Sequence, residues 1–95
     1  MEKINNYETI FIINPDLGEE GIQALVQKIK DLIEANATIQ SVEDWGKRRL
    51  AYMIDNLNEG YYTLINFASN PSFPSELERI YKITDGIVRT IVIRK

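Results

Sequence analysis

Three consecutive cations, Lys47-Arg48-Arg49, stand between Trp45-Gly46 and Leu50-Ala51-Tyr52, inside a hydrophobic frame rather than in a polar tail. The chemistry such a set could do is phosphate binding. A guanidinium donates two parallel hydrogen bonds from a planar fork and keeps its proton, and a run fixed on a strand presents those donors at set positions. A solvated charge run beside a buried strand has the same composition, and spacing alone does not separate the two readings. The other candidate chemistry lies in the adjacent acids Glu19-Glu20 and Glu43-Asp44, as possible acid-base pairs. Glu19 and Glu20 fall where a helix should begin, and negative charge beside the exposed amides of a first turn is sufficient reason for them. The chain has no His and no Cys. That removes a thiol nucleophile, a disulfide, an imidazole acid-base group and the usual zinc or haem ligands. Neither catalysis, nor a metal, nor a cofactor, nor a small-molecule substrate is expected.

Ninety-five residues suit one domain spanning 1–95, which at this size buries only about 60 to 65 per cent of its unfolded surface and needs a simple, continuous core. A hydrophobic fraction of 44% and a charged fraction of 26% are those of a globular chain that folds alone. The longest strictly apolar run, Ile10 to Ile13, is far short of the roughly 20 residues that span a bilayer. No cationic stretch leads into an apolar one near the start, so the expectation is a cytoplasmic protein with no membrane partner. The net charge of −3 argues against nucleic-acid binding by bulk charge, because counterions are released only where cations meet the backbone. The charge is segregated, however. Residues 16–36 hold five acids against Lys28 and Lys30, whereas the last ten residues hold Arg89, Arg94 and Lys95 with no acid. A basic margin on an otherwise acidic domain suits contact with RNA along one side.

The elements that must position these residues read strand, helix, strand, strand, helix, strand. Tyr7 to Ile13 is β-branched and aromatic and ends at Asn14-Pro15, which cannot extend a ladder. Ile22, Leu25, Val26, Ile29, Leu32 and Ile33 then repeat at helical spacing, with Asn36 as the stop. From Ala37 to Ile54 the alternation changes phase around Gly46, which predicts a bulge there that turns Lys47, Arg48 and Arg49 outward. Asn56 to Gly60 supplies turn residues joining Leu50–Ile54 to Tyr61–Phe67 as a hairpin. Pro71, Ser72 and Pro74 introduce a second helix facing the core with Phe73, Leu77, Ile80 and Tyr81. Asp85-Gly86 ends it, and Ile87 to Ile93 forms the last strand.

Two right-handed crossovers of this kind give an α+β, ferredoxin-like βαββαβ fold, with a four-stranded antiparallel sheet and two helices on one face. The uncovered face should alternate to polar residues, yet these strands are apolar on both sides. If Thr9, Phe11 and Ile13 face the helices, then Ile10, Ile12, Tyr62, Leu64, Ile91 and Ile93 face outward. A contiguous apolar patch of that size marks a partner site.

The run Trp45 to Tyr52, the opening Tyr7-Glu8, Asn14-Pro15, Gly60-Tyr61-Tyr62 and the ending Ile87 to Ile93 together resemble the bacterial small-subunit ribosomal protein six family over nearly the whole chain. The resemblance implies a structural RNA-binding protein that binds the central domain of the small-subunit ribosomal RNA jointly with small-subunit protein eighteen. It maps the family's basic signature onto Lys47, Arg48 and Arg49, places Arg89 in the family's C-terminal strand and maps an aromatic near its N-terminus onto Tyr7, so that Arg48 and Arg89 are expected near RNA with Lys47 and Arg94 in support. Arg49, beside Leu50, is expected instead to cover the core edge with its stem. Two departures limit what carries over. Met1 to Asn6 precede the first strand, where many members start almost directly on it, and the chain stops at Lys95 without a longer tail. An alternative is an independent single-stranded RNA reader of the RNA-recognition-motif type. Its aromatic signature laid on Glu59 to Asn66 fails at Glu59, Tyr62, Thr63 and Asn66. A metal carrier on the same fold would want a Cys-x-x-Cys and an acyl-phosphate hydrolase a Gly-rich anion loop with an Arg before the first helix, and Asn14 to Gly18 supplies neither; a regulatory ligand-binding domain is harder to dismiss, its glycines being expected at the strand-to-helix turn of a larger polypeptide.

Overall fold

The computed structural model describes residues 4–54 and 57–95, with side chains described outside 50–58. Strand β1 (Asn5–Ile13) leads through a single 3-10 turn at Pro15–Leu17 into helix α1 (Gly18–Asn36). The side chain of Asn14 caps that turn by accepting from the Asp16 amide at 2.9 Å, while Pro15 fixes the backbone where a donor is not needed. Strands β2 (Thr38–Ile54) and β3 (Leu57–Ser69) follow, then helix α2 (Phe73–Ile83) and strand β4 (Ile87–Arg94). The sheet order is β2-β3-β1-β4 and every neighbouring pair is antiparallel, which is the ferredoxin-like α+β arrangement.

One side of the sheet and one stripe of each helix make the core. From the strands come Tyr7, Phe11, Ile13, Ile65 and Phe67. From α1 come Ile22, Leu25, Val26, Ile29 and Ile33, and from α2 come Phe73, Leu77 and Tyr81. Because alternate residues of a strand point to opposite faces, the burial of Tyr7, Thr9, Phe11 and Ile13 fixes Glu8, Ile10 and Ile12 on the open face. Two threonines in the core are satisfied locally. The Tyr81 hydroxyl donates to Thr9 Oγ1 at 2.9 Å, and Thr9 in turn donates to the Ile91 carbonyl at 3.1 Å. Thr63 donates to Asp44 Oδ1 at 3.2 Å. The end of β1 is tied to the start of β4, since the Asn14 amide donates to the Gly86 carbonyl at 2.8 Å. Gly86 has φ 95°, a conformation that favours glycine, and a Cβ there would lie 2.7 Å from Leu17 Cδ1 and displace the tip of that exposed side chain.

The expected turn over Asn56 to Gly60 is shorter than composition implied. Leu57 to Gly60 already belong to β3, Ile54 pairs with Leu57, and Asn56 lies outside the described residues. The expected bulge at Gly46 is present: Asp44 pairs with Thr63 and Gly46 with Tyr62, leaving Trp45 as the extra residue, with Gly46 at φ 77°. A second irregularity at Gln40, between Ile39 and Ser41, was not anticipated.

Candidate RNA and protein interface

The bulge decides where the basic run points. Trp45 lies over Tyr62 on the open face, ring centroids 6.2 Å apart and nearly parallel at 18°. Beyond Gly46 the strand resumes alternation: Lys47 pairs with Tyr61, Arg48 with Gly60 and Arg49 with Glu59. Since Tyr61 shares the parity of core residues Thr63 and Ile65, Lys47 and Arg49 take the helix side, and Arg48 alone of the three takes the open face. All three are exposed. The expectation that the run acts as one outward patch is therefore corrected, because strict alternation divides it between two faces. Arg49, exposed, pairs with Glu59 on the helix side.

Arg48 is held in place by its own turn, its Nε donating to the Trp45 carbonyl at 3.0 Å and leaving the rest of its fork outward. Arg89, exposed on β4, pairs with Ile12, which pairs with Tyr62 on its other side, so Arg89 shares the open face with Arg48. Their Cα atoms stand three strands and two residues apart, about 16 Å from strand spacing and rise. Lys47 makes a loose, solvent-exposed ion pair with Glu59 at 3.9 Å. It also lines a cleft of about 400 Å³ with Pro15, Gly18, Glu19, Ile22, Gln23 and Tyr61. Burial, together with the nearby Asp44 and Glu19 carboxylates, raises the Tyr61 phenol above its usual range, with a hydrogen bond from Gln23 acting in the other direction.

Two residues expected at the RNA margin lie elsewhere. Tyr7 is a core residue, 6% exposed and stacked on Phe67 at 5.6 Å, because its strand parity matches Phe11 and Ile13. Arg94 pairs with Tyr7, which puts it on the helix side and, five residues along β4 from Arg89, about 17 Å away. There its Nη2 reaches Asn5 Oδ1 at 3.5 Å.

The six apolar residues assigned to the open face all have the register that places them there, but they are not equally accessible. Ile91 and Ile93 are 44% and 46% exposed, and Ile10 and Tyr62 are half-buried. Ile12 and Leu64 are already buried. Leu64 lies between Ile10 and Glu43, and Ile12 between Tyr62 and Arg89, so side chains on either hand cover them. They form the floor of the patch, with Ile91 and Ile93 an accessible ridge along β4 and Trp45 standing at the opposite edge on β2. Trp45, 38% exposed, is a member that alternation alone did not reveal, since a bulge residue falls outside the period. Among the described residues no group of three or more His, Cys, Asp or Glu is arranged to hold a metal ion, and no helix is long and apolar enough to cross a membrane.

A ferredoxin-like sheet with one face left open, apolar at its centre and cationic at one end, makes this a small α+β scaffold domain with an uncovered sheet face. The comparisons with known proteins narrow the class to one family. The model of the family described as ribosomal protein S6 matches residues 6–94, and the chain belongs to that family. Among its relatives, small ribosomal subunit protein bS6 of Clostridium perfringens is 53% identical over 93 residues, covering 97% of this chain and 98% of the relative. The protein of the same name from Clostridium novyi is 52% identical over 91 residues, covering 95% and 96%. The crystal structure of 30S ribosomal protein S6 from Thermotoga maritima superimposes with a TM-score of 0.92 at 39% identity, covering 98% of this chain and 89% of that one.

Proposed function

We propose that this chain is a structural, non-catalytic component of the small ribosomal subunit in the cytoplasm. In this reading it binds the central domain of the small-subunit ribosomal RNA jointly with small-subunit protein eighteen. The observation that carries the reading is the presence on one sheet face of an apolar ridge along β4, Ile91 and Ile93, with Trp45 at the opposite edge, and of two arginines, Arg48 and Arg89, at one end of that face. The ridge offers a protein partner an area to bury, and the arginines offer phosphate a fixed pair of donors. A chain of net charge −3 gains RNA affinity from the joint surface of the two proteins rather than from its own field.

Within that reading Arg48 and Arg89 contact RNA and Lys47 stands behind them on the helix side. Ile10, Tyr62, Ile91 and Ile93 meet the partner protein over the floor formed by Ile12 and Leu64. The test is co-purification with small-subunit protein eighteen, then binding of each protein and of the mixture to a central-domain RNA fragment at low and high salt. Tight, salt-sensitive binding by the mixture, with little by this chain alone, is expected. Equal binding by this chain alone would instead make it an independent RNA reader.

A further inference from the structure

The register sorts the open face into rows that cross all four strands. At one end stand Arg48 and, in the next row, Trp45, Tyr62, Ile12 and Arg89. The middle row is Glu43, Leu64, Ile10 and Ile91, and the row after it is Ser41, Asn66, Glu8 and Ile93. Charge therefore runs along the strands, from two arginines at one end to two carboxylates toward the other. Glu8 is half-buried and Glu43 exposed, and neither belongs to an ion pair among the described residues, where the pairs are Lys47–Glu59 and Glu76–Arg79. Between them Asn66 donates to Ser41 Oγ at 2.8 Å, while its own carbonyl oxygen is buried without a donor. This half thus presents two carboxylates and a buried carbonyl oxygen without a donor, with the exposed Lys95 in the row beyond, its amide bonded to the Asn6 carbonyl.

A ligand covering this half would strip water from Glu8, and a carboxylate so covered is stable only beside a cation that also donates hydrogen bonds. Phosphate brings the same sign of charge and no donor, so RNA is disfavoured there. We propose that Glu8 and Glu43 are selectivity residues of the docking face. They receive Lys or Arg side chains of a basic protein whose apolar residues sit on Ile10, Ile91 and Ile93, and they confine RNA to the Arg48 and Arg89 end. This rests on the reading above, in which small-subunit protein eighteen occupies the face.

The experiment titrates purified small-subunit protein eighteen into the full chain carrying Glu8→Gln, Glu43→Gln or both, at low and high salt, with Glu19→Gln on α1 as the control. Gln keeps the shape of the side chain, and unchanged thermal unfolding verifies that the fold is intact. Glu8→Gln is expected to weaken binding about tenfold or more, Glu43→Gln less, and the double variant to flatten the salt dependence, while Glu19→Gln binds like the parent. Parent-like binding by the double variant, when Ile91→Asp abolishes binding, overturns the proposal and leaves the docking face standing. RNA binding by the double variant alone that weakens tenfold or more also overturns it, because the carboxylates would then hold RNA rather than exclude it. A parent chain that does not bind small-subunit protein eighteen overturns the docking reading, and this one with it.

Discussion

Aspartate placed at Ile91 and, separately, at its neighbour Val92 should give opposite failures. Ile91 is 44% exposed on the open face, whereas Val92 pairs with Thr9 and packs against the core. Fully burying an isoleucine is worth about 1.5–3 kcal/mol, so covering the exposed part of Ile91 contributes about 0.7–1.3 kcal/mol to docking. Ile91→Asp loses that and puts a carboxylate with no partner into the covered face, for a total of about 3 kcal/mol or more. The dissociation constant for small-subunit protein eighteen should rise at least about 100-fold, read by calorimetry. Folding loses only the part of Ile91 already covered, about 1–2 kcal/mol, or a Tm lower by roughly 5–15 °C. Val92→Asp instead buries a charge beneath the helices, which costs about 3–5 kcal/mol of a total stability of about 5–14 kcal/mol for a chain this long. Circular dichroism melts separate the two. An unfolded Ile91→Asp together with a tolerated Val92→Asp would show that the sheet faces are assigned the wrong way round.

Replacing Arg48 or Arg89 by Ala should weaken RNA binding by the protein mixture and reduce its salt slope by about one each, with thermal stability within about 1 kcal/mol, whereas Arg94→Ala should leave the slope alone. Gly46→Ala meets no atom within 4 Å and should lose only the backbone term of a positive φ, about 1–2 kcal/mol in a urea titration. Gly86→Ala adds a collision with Leu17 and should lose more. Tyr81, buried, has its phenol pushed well above the usual range, chiefly by desolvation and in spite of its bond to Thr9. An unfolded tyrosine ionises near pH 10, so the unfolded state sheds that proton first. The contribution is complete below about pH 10 and declines as pH rises above it, by up to about 1.4 kcal/mol per unit. Tyr81→Phe should make the alkaline loss shallower, and at neutral pH should lower stability by about 1 kcal/mol.

The order of elements, the helical stripes and the face of each strand were legible in the sequence because each rests on a short period. Ile22 to Ile33 repeat at helical spacing, and Thr9, Phe11 and Ile13 alternate with Ile10 and Ile12. The phase change at Gly46 was legible for the same reason. What failed was reasoning by chemical type across a period. Lys47, Arg48 and Arg49 look like one patch in sequence, yet adjacent strand residues point apart, and Arg94 and Arg89 differ by five, an odd number, and so occupy opposite faces. The resemblance matches Tyr7 to an aromatic near the family's N-terminus, whereas its spacing from Thr9 and Phe11 places it with the core, where it is buried. The irregularity at Gln40 also had a signal. Ile39 and Val42 are both partly buried against the core, and a spacing of three on one face requires an extra residue between them. The covering of Ile12 and Leu64 had none, because it depends on which strands become neighbours.

The position of Trp45 makes it a built-in optical reporter. It is the single tryptophan of the chain, lies outside the core and stacks on Tyr62 at the β2 edge of the proposed docking face. Indole emission excited at the red edge therefore responds to occupation of the open face: a covered ring shifts to shorter wavelength and becomes inaccessible to iodide. Assembly can then be followed without an attached dye, in stopped flow and at concentrations too low for calorimetry. The five tyrosines, of which Tyr7 and Tyr81 are core residues, give a separate absorbance signal for unfolding. One unlabelled sample thus yields the rate at which the face is covered and the stability of the fold beneath it.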